Sequence, residues 1–344
     1  MQTHRACANG SKQREWMSKE DTSSPTVSLP AVLATAVIDA HEGREVAIID
    51  IPNAFVQTEN VGEVVHMKIR GELALMMVQL FPEYYKEFLT EENGKPILHV
   101  RVLKALYGML QSSLLYYKKF VKDIEEIGFK LNPYDPCVAN KMVLGKQLTL
   151  TWHVDDVKAS HVITKVIDDL VEWCQKKYGG HTKVTPSRGK KHDYIAIGLD
   201  YSTQGVVKID MTKYVKGMVD DFKYPEELGN FVPKTPAAGH LFEVRDDAEK
   251  LSAEKAEEFH HVVAKGLFVC KRSRDDIQPT IAFLTTRVKE PDQDDWNKLL
   301  RLMRYLKATQ DVVKTLEIET WELSNGGQMQ HLLCTKTRRV TQAV

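Results

Sequence analysis

The chain has 344 residues, of which 43% are apolar and 27% charged, and its formal net charge at pH 7 is zero. This length exceeds the usual size of one hydrophobic core, so a globular protein of about two or three subdomains is expected. No apolar run approaches the length of a membrane span, and the five cysteines form no Cys-x-x-Cys pair. These features exclude a membrane-inserted protein, a secreted disulfide scaffold and a structural zinc site.

The first predicted elements are a helix and a buried strand. The composition of Leu29 to Ala40 is typical of a helix, and Val46 to Ile49 is a short apolar run typical of a fully buried strand. Asp50 ends this strand, and Pro52 breaks it. A lone carboxylate here could merely cap the next helix, so its role depends on a partner elsewhere in the chain.

The middle of the chain predicts strands at Val64 to Ile69 and Ile97 to Val102, with a helix at Ala74 to Phe88 between them. From Leu114 onward, apolar residues recur at helical spacing. Gly128 ends this second helix.

A β-hairpin with two carboxylates at its tip follows. Its first strand is predicted over residues 147–153, which alternate between apolar and polar side chains as in a half-buried strand, and Cys137 to Leu144 predicts a strand that pairs with the hairpin. Asp155 and Asp156 end the alternation before a second extended run. Adjacent like charges at the end of an apolar hairpin need open water or a bound cation. A solvated turn is the alternative interpretation, because Asp is a common turn residue.

Further helices and a second hairpin are predicted downstream, together with a linker that contains two prolines. In chain order these elements are a helix at Thr164 to Tyr178, a hairpin of strands Tyr194 to Tyr201 and Val206 to Ile209, a helix at Met211 to Phe222, the linker Pro233 to Gly239, and helices at Glu254 to Val269 and Trp296 to Lys307.

The last of these helices carries basic residues on one side and apolar residues on the other. Its basic side contains Lys298, Arg301, Arg304 and Lys307. A protein of zero net charge that binds nucleic acid must cluster its basic groups, and a ridge of this kind could track a phosphate backbone. A charged outer face that binds nothing is the equal alternative.

Three motifs in the same order resemble the reverse transcriptase of Ty1/copia-type LTR retrotransposons. Asp50-Ile-Pro-Asn-Ala-Phe55 is similar to the family's Asp-Val-Lys-Thr-Ala-Phe. Lys104-Ala-Leu-Tyr-Gly-Met-Leu-Gln-Ser112 is similar to Lys-Ser-Leu-Tyr-Gly-Leu-Lys-Gln-Ser. Trp152-His-Val-Asp-Asp156 is similar to a segment that ends in Tyr-Val-Asp-Asp, except that His153 stands at the family's Tyr position.

The resemblance extends from about Arg5 to about Leu316. The segment Asp193 to Gly198 is similar to the turn that grips the primer, and Arg301 to Lys307 is similar to a helix near the end of the family's polymerase region. The fold that the resemblance implies is α+β: a right-hand polymerase with fingers, palm and thumb, an antiparallel palm sheet backed by helices, and a C-terminal helical or connection-like part.

By the same resemblance the chain divides into consecutive parts. These are partial fingers (1–32), palm with the first catalytic Asp (33–57), fingers (58–110), palm with the catalytic hairpin and primer grip (111–200), thumb (201–240), a connection-like helical region (241–319) and an unmatched tail (320–344).

The implied reaction is RNA-directed DNA synthesis by two-metal nucleotidyl transfer from a dNTP to a primer 3′-hydroxyl. The implied catalytic residues are Asp50, Asp155 and Asp156. Two Mg²⁺ ions, for which Mn²⁺ can substitute, would bind Asp50, Asp155 and the backbone oxygen of Ile51. Asp156 would orient the hairpin or assist one metal.

The resemblance also implies residues that bind the substrates. Phe55 would lie under the incoming sugar, and the remaining positions are Tyr107, Gly108, Gln111 and Arg5 for the nucleotide, with Ile195 and Gly198 in the primer grip. The implied partners are an RNA or DNA template-primer and dNTPs, without a membrane. The chain would originate in a larger polyprotein and work in a cytoplasmic virus-like particle or the nucleus. The alternative is an inactive or domesticated fragment that keeps the fold, with or without nucleic-acid binding.

Overall fold

The computed structural model describes residues 7–62, 64–180, 182–225 and 231–318, together with the backbone of 333–339. These residues form two compact units. The first unit takes in the described residues of Met1–Ser28, Ile49–Ala159 and Thr164–Pro186. The second takes in those of Leu29–Ile48, Ser160–Ile163 and Ser187–Val344. No helix in these ranges combines the length and the apolar character that crossing a lipid bilayer requires.

The α-helices of the described residues are α1 (Leu29–His41), α2 (Glu72–Leu80), α3 (Pro82–Tyr85), α4 (Ser112–Glu126), α5 (Thr164–Cys174), α6 (Thr212–Asp221), α7 (Ala253–Arg272), α8 (Gln278–Arg287) and α9 (Gln293–Ala308). The strands are β1 (Glu45–Asp50), β2 (His66–Arg70), β3 (Leu89–Glu92), β4 (Lys95–Arg101), β5 (Lys130–Leu131), β6 (Val138–Val143), β7 (Lys146–His153), β8 (Asp156–His161), β9 (Pro186–Ser187), β10 (Lys191–Tyr194), β11 (Ile197–Asp200), β12 (Val206–Asp210), β13 (Val312–Ile318) and β14 (Leu333–Arg339).

The strands form three sheets. A six-stranded sheet has the order β5-β6-β7-β8-β1-β9, a five-stranded sheet the order β10-β11-β12-β13-β14, and a three-stranded sheet the order β2-β4-β3. The strands of the two smaller sheets pair antiparallel, and so do β5 with β6 and β6 with β7. The chain is therefore an α+β protein with antiparallel sheets, as the sequence predicts at this level.

In the first unit, β7 is buried on both faces rather than one. Trp152 is 1% exposed and packs edge-to-face against Phe120 of α4, with ring centroids 5.2 Å apart. On the opposite face, Thr149 and Thr151 are also buried. The prediction of a half-buried strand is wrong in this respect, because an interior strand of a sheet can be covered on both faces and the β-branched Thr suits such a position.

Two predicted helices are shorter in the structure. The helix expected over Ala74 to Phe88 is divided into α2 and α3, because Pro82 lacks the amide that would continue α2 and instead occupies the first turn of α3. The helix expected over Thr164 to Tyr178 ends at Cys174, and Gln175–Gly179 forms a π-helical turn.

The second unit has a core of four helices, α6 to α9, with fully buried side chains such as Phe259, Leu299 and Leu302. Elsewhere in this unit, α1 packs on β12 and β13. The helix predicted to begin at Trp296 begins earlier, because the Asp292 side chain accepts a hydrogen bond from the Asp295 amide and the Asp295 side chain accepts one from the Asp292 amide. In the region after Glu319, where no element was predicted, β14 pairs antiparallel with β13.

The basic side of α9 is not a continuous exposed ridge, because Lys307 is exposed but Arg301 and Arg304 are half-buried and Lys298 is buried. Lys298 is only 8% exposed, and its ammonium donates to the backbone oxygen of Glu243 over 2.6 Å. The guanidinium groups of Arg301 and Arg304 lie 5.9 and 5.6 Å from the centre of the Phe231 ring. Helical periodicity predicts which side chains share a face, but here residues 231–245 pack along that face and engage its cations.

Two helical glycines give a matched test of this packing. A Cβ at Gly266 of α7 would lie 2.4 Å from Cδ1 of the fully buried Ile281, whereas a Cβ at Gly217 of α6 would meet nothing within 4 Å. Both substitutions to Ala gain helix propensity, so their difference isolates the steric overlap. We expect Gly217→Ala to be more stable than Gly266→Ala by about 1–3 kcal/mol in urea unfolding. Equal stability of the two variants would contradict the described packing of α7 on α8.

Candidate active site

The first candidate carboxylate lies at the end of a buried strand. Val46, Ala47, Ile48 and Ile49 of β1 are all buried, whereas Asp50 at its end is exposed. The apolar run thus fixes the strand, and the charge lies where water or a ligand can reach it. The next amide, that of Ile51, donates to the backbone oxygen of Asp155 over 3.2 Å. This bond joins the ends of two motifs that lie far apart in the sequence.

The second carboxylate lies in a tight turn between β7 and β8. Val154 and Asp155 form this turn, and Val154 has a φ of +59°. A positive φ at the first of two turn residues is typical of a type II′ hairpin, a position that favours glycine. A β-branched residue there costs of order 1–3 kcal/mol, so the surrounding structure must hold the turn in place.

The three acidic side chains influence one another electrostatically. Burial raises the pKa of the Asp156 carboxyl, and the negative charges of Asp155 and Asp50 raise it further, while His153 acts in the opposite direction. Carboxylates that disfavour each other's ionised form are stabilised by a cation.

Asp50 and Asp155 have the chemistry of a magnesium site. Among the described residues, no group of three or more His, Cys, Asp or Glu side chains is gathered so that it could hold a metal ion. Mg²⁺, however, is often bound by one or two carboxylates together with substrate phosphates rather than by a complete protein cage. The carboxylates of Asp50 and Asp155 are therefore compatible in chemistry with this ion.

An aromatic group adjoins the carboxylates. Phe55 is 8% exposed, and its ring centroid lies 4.5 Å from that of Tyr107 and 6.2 Å from that of Tyr116. The Tyr107 hydroxyl approaches the Asp155 carboxylate at 3.5 Å. Phe55 is thus packed by two tyrosines, one of which reaches the carboxylate of the hairpin turn.

The loop after Tyr107 is crossed closely by the N-terminal segment. The Ala8 amide donates to the Tyr107 backbone oxygen over 2.7 Å. Gly108 has a φ of +90°, and a Cβ there would lie 1.9 Å from the Ala8 oxygen; a Cβ at Gly10 would lie 2.2 Å from the Gly108 oxygen. Both glycines are needed because two backbones touch at this point. The sequence analysis missed the role of Gly10, which only the crossing reveals.

Gln111 is placed inside the protein rather than on its surface. It is 5% exposed, its amide donates to the Asn60 side chain over 2.6 Å, and its oxygen accepts a hydrogen bond from Gln13 at 3.4 Å. Gln13 in turn accepts from the Leu110 amide at 2.9 Å. These bonds hold the loop in place, and sequence analysis gave no sign of either Gln13 or Asn60.

The two primer-grip residues lie in the second unit, and Arg5 lies outside the described residues. The predicted continuous strand Tyr194 to Tyr201 is wrong, because Ile195 and Ala196, with φ of +51° and +58°, form a two-residue turn between β10 and β11. Neither residue is a usual choice for such a turn, so the resemblance of Asp193 to Gly198 to the primer-grip turn indicated it and residue type did not. Gly198 lies in β11, where a Cβ would come 3.1 Å from the Asp210 oxygen.

Residues 2–236 match the family model described as Reverse transcriptase (RNA-dependent DNA polymerase). The chain belongs to the reverse transcriptase family. It is 21% identical over 316 residues to the Retrovirus-related Pol polyprotein from transposon TNT 1-94 of Nicotiana tabacum. This match covers 89% of the chain and 22% of that polyprotein, so the chain spans about a fifth of its relative's length. The copia-type resemblance of the motifs is confirmed.

Two solved structures are also similar to this reverse transcriptase-family chain. The foamy viral protease-reverse transcriptase in complex with double-stranded DNA aligns with a TM-score of 0.43 and 11% identity, over 91% of this chain and 46% of that one. Telomerase from Candida albicans, in complex with a fragment of telomeric RNA, aligns with a TM-score of 0.31 and 10% identity, over 87% and 52%. Family membership rests on the sequence match.

A polar network supports the segment that follows Asp50 in this family member. Gln57 donates to the backbone oxygens of Pro52 at 2.6 Å and Tyr178 at 2.7 Å. The Tyr178 hydroxyl donates to Asp123 at 2.7 Å, and the Lys177 ammonium lies 2.9 Å from the same carboxylate. Burial raises the pKa of Asp123, but its hydrogen bonds outweigh burial and hold that pKa below its ordinary value. The network thus links the segment after Asp50 to the ionised Asp123 carboxylate through Gln57 and Tyr178.

Tyr116 is buried beside the carboxylates, and its hydroxyl has no hydrogen-bond partner in the described part of the chain. Burial, aided by nearby negative charges of which Asp155 is the largest, raises its pKa well above the ordinary value. An unsatisfied buried hydroxyl costs about 1–3 kcal/mol. We therefore expect Tyr116→Phe to raise the free energy of unfolding by about 1 kcal/mol in chemical denaturation.

Tyr178→Phe is the matched control, because that hydroxyl donates to a charged carboxylate. Its loss should lower the free energy of unfolding by about 1.5–3 kcal/mol. If Tyr116→Phe is destabilised as much as Tyr178→Phe, the Tyr116 hydroxyl has a partner and the described site is wrong at this point.

Proposed function

We propose that this chain is the RNA-directed DNA polymerase part of a copia-type retrotransposon polyprotein and transfers nucleotides from dNTPs to a primer 3′-hydroxyl. The observation that carries the proposal is the junction of β1 with the β7-β8 turn. There the Ile51 amide donates a hydrogen bond to the Asp155 backbone oxygen, and the charges of Asp155 and Asp50 raise the pKa of Asp156. Family membership supports the reaction class.

Asp50 and Asp155 are proposed to bind two Mg²⁺ ions together with the backbone oxygen of Ile51, and Mn²⁺ can take their place. The chemistry that these ions supply when bound is a lower pKa of the primer hydroxyl and stabilisation of charge on the transferred phosphoryl group. Asp50 and Asp155 position the ions, and Asp156 orients the β7-β8 hairpin or assists one metal. Catalysis then consists mainly of positioning and electrostatics.

The neighbouring residues are proposed to select and hold the substrates. Phe55 packs under the sugar of the incoming nucleotide, with the Tyr107 ring tilted against it. The Gly108 loop, held by the hydrogen bonds of Gln111, lies along the base pair. The remaining assignments are Arg5 to the triphosphate and Ile195 and Gly198 to the primer. The partners are an RNA or DNA template-primer and dNTPs, in a cytoplasmic virus-like particle or the nucleus.

The proposal includes a right-hand polymerase arrangement, supported by the α+β class and the antiparallel sheets. Its parts are fingers (1–32 and 58–110), palm (33–57 and 111–200), thumb (201–240), a connection-like region (241–319) and a tail (320–344).

Asp155→Asn should abolish primer extension on a poly(rA) template with an oligo(dT) primer, because one metal ligand is lost. The same change removes a negative charge that raises the pKa of Asp156 and leaves the hydrogen bond between the Ile51 amide and the Asp155 backbone oxygen, so the melting temperature should be unchanged or raised. The measurement pairs the extension assay with thermal unfolding.

Asp311→Asn is the control, since Asp311 is an exposed aspartate remote in sequence from the motifs, and it should extend primers like the original chain. A large loss of stability in Asp155→Asn would favour a structural role for Asp155. If the original chain folds but extends no primer with Mg²⁺ or Mn²⁺, the inactive-fragment alternative replaces the polymerase proposal.

Phe55→Val should improve ribonucleotide incorporation relative to deoxynucleotides at least tenfold, which corresponds to losing about 1.4 kcal/mol of discrimination. A bulky ring against C2′ leaves no room for a hydroxyl, and Val is too small to exclude it. The measurement is the ratio of kcat/KM values for matched ribo- and deoxynucleotides.

Phe129→Val is the matched control, because Phe129 is 3% exposed and also loses packing, but it belongs to no substrate-binding motif. Both variants should lose about 1–3 kcal/mol of stability from the cavity created, and only Phe55→Val should change sugar choice. Unchanged selectivity in an active Phe55→Val protein would make Phe55 a packing residue.

A further inference from the structure

The second unit contains a cavity of about 390 Å³ that involves none of the residues assigned to polymerisation. It lies between the segment from Pro236 to Arg245 and the N-terminal half of α9. Small-molecule sites in proteins typically measure about 300–1,000 Å³, so the cavity is large enough for a ligand the size of a nucleotide.

A buried cation lines this cavity. Lys298 is 8% exposed, donates to the Glu243 backbone oxygen over 2.6 Å and has its ammonium 4.5 Å from the centre of the Phe283 ring. An ammonium offers three donors and a full charge, but Lys298 forms no salt bridge with the described residues. The Asp294 carboxylate of the lining interacts with Lys298 electrostatically, but it pairs directly with Arg245. A charge removed from water without a directly bonded counter-ion is costly, and an anion in the cavity would offset that cost.

A second cation lines the same cavity one helical turn later. Arg301 donates through one terminal nitrogen to the Thr235 hydroxyl at 3.1 Å. Its Nε is buried and has no acceptor among the described residues, and Arg301 also makes no salt bridge there. By contrast, the third cation of the lining, Arg245, is neutralised by Asp294 through two bonds of 2.6 and 2.8 Å.

The rest of the lining divides into an apolar wall and a polar rim. Pro236, Ala237 and Leu241 give the cavity an apolar side, and His240, Glu243 and Asn297 give it a polar rim. An apolar wall beside two cations that form no salt bridge with the described residues is complementary to a ligand that has a ring at one end and a phosphate at the other.

We propose that this cavity binds a small phosphorylated ligand of nucleotide size, with its phosphate on Lys298 and Arg301 and its ring against the apolar wall. A phosphodiester strand fits less well, because residues 231–245 pack along the cationic face of α9 and leave a cavity rather than an open basic ridge. The inference is independent of polymerase activity.

The test is isothermal titration calorimetry on the full chain in buffer that contains EDTA, so that no nucleotide is held through a divalent metal. The probes are AMP, inorganic pyrophosphate and adenosine. We expect saturable binding of AMP with one site per chain, binding of pyrophosphate, and at least tenfold weaker binding of adenosine. Lys298→Met and Arg301→Gln should each weaken AMP binding at least tenfold.

Lys265→Met is the control, because Lys265 belongs to the same unit but pairs with Asp221 at 3.0 Å, and its AMP binding should be unchanged. Lys298→Met removes a buried charge and keeps side-chain length; if it fails to fold, Arg301→Gln decides the matter. The proposal is overturned if neither AMP nor pyrophosphate binds at millimolar concentration, if both variants bind AMP like the original chain, or if only a 5′-phosphorylated oligonucleotide binds.

Discussion

Repulsion among carboxylates is the constraint on which the candidate site depends. Burial and the negative charges of Asp155 and Asp50 raise the pKa of the Asp156 carboxyl, yet the hydrogen bond from the Ile51 amide to the Asp155 backbone oxygen holds the two motifs together. The strained φ of Val154 adds to this cost. A fold that places electrostatic repulsion and backbone strain at one point must offset their free-energy cost by packing elsewhere. Repulsion and strain of this kind are typical of sites that bind a ligand.

The surrounding packing supplies that support. On one side, Phe55, Tyr107 and Tyr116 form a ring cluster beside the carboxylates. On another, the close crossing of Gly10 and Gly108 ties the N-terminal segment to the loop after Tyr107. Asp123, held by lysines and a tyrosine, anchors the chain beneath. Each contact joins segments far apart in sequence, so rigidity at the site is a property of the whole first unit.

Local sequence patterns predicted the strands and turns on which the site lies. They could not predict contacts between segments that are distant in the sequence. The apolar run of β1 and the alternation before Asp155 specify strands by themselves, and the motif order indicates the family. The turn at Ile195 and Ala196 has no favoured turn residue, so local patterns extended a strand through it, and only the resemblance to the primer-grip turn indicated a turn there. The burial of Lys298 was missed because periodicity does not reveal what covers a helix face.

Iron-directed backbone cleavage tests most directly whether the two motifs form one metal site. With primer-template and the next dNTP bound, Fe²⁺ replaces Mg²⁺, and ascorbate with peroxide generates radicals that cut the nearby backbone. The account predicts cuts close to Asp50 and close to Asp155, both suppressed together by excess Mg²⁺. Cuts near only one of these residues, or at neither, would contradict a shared site.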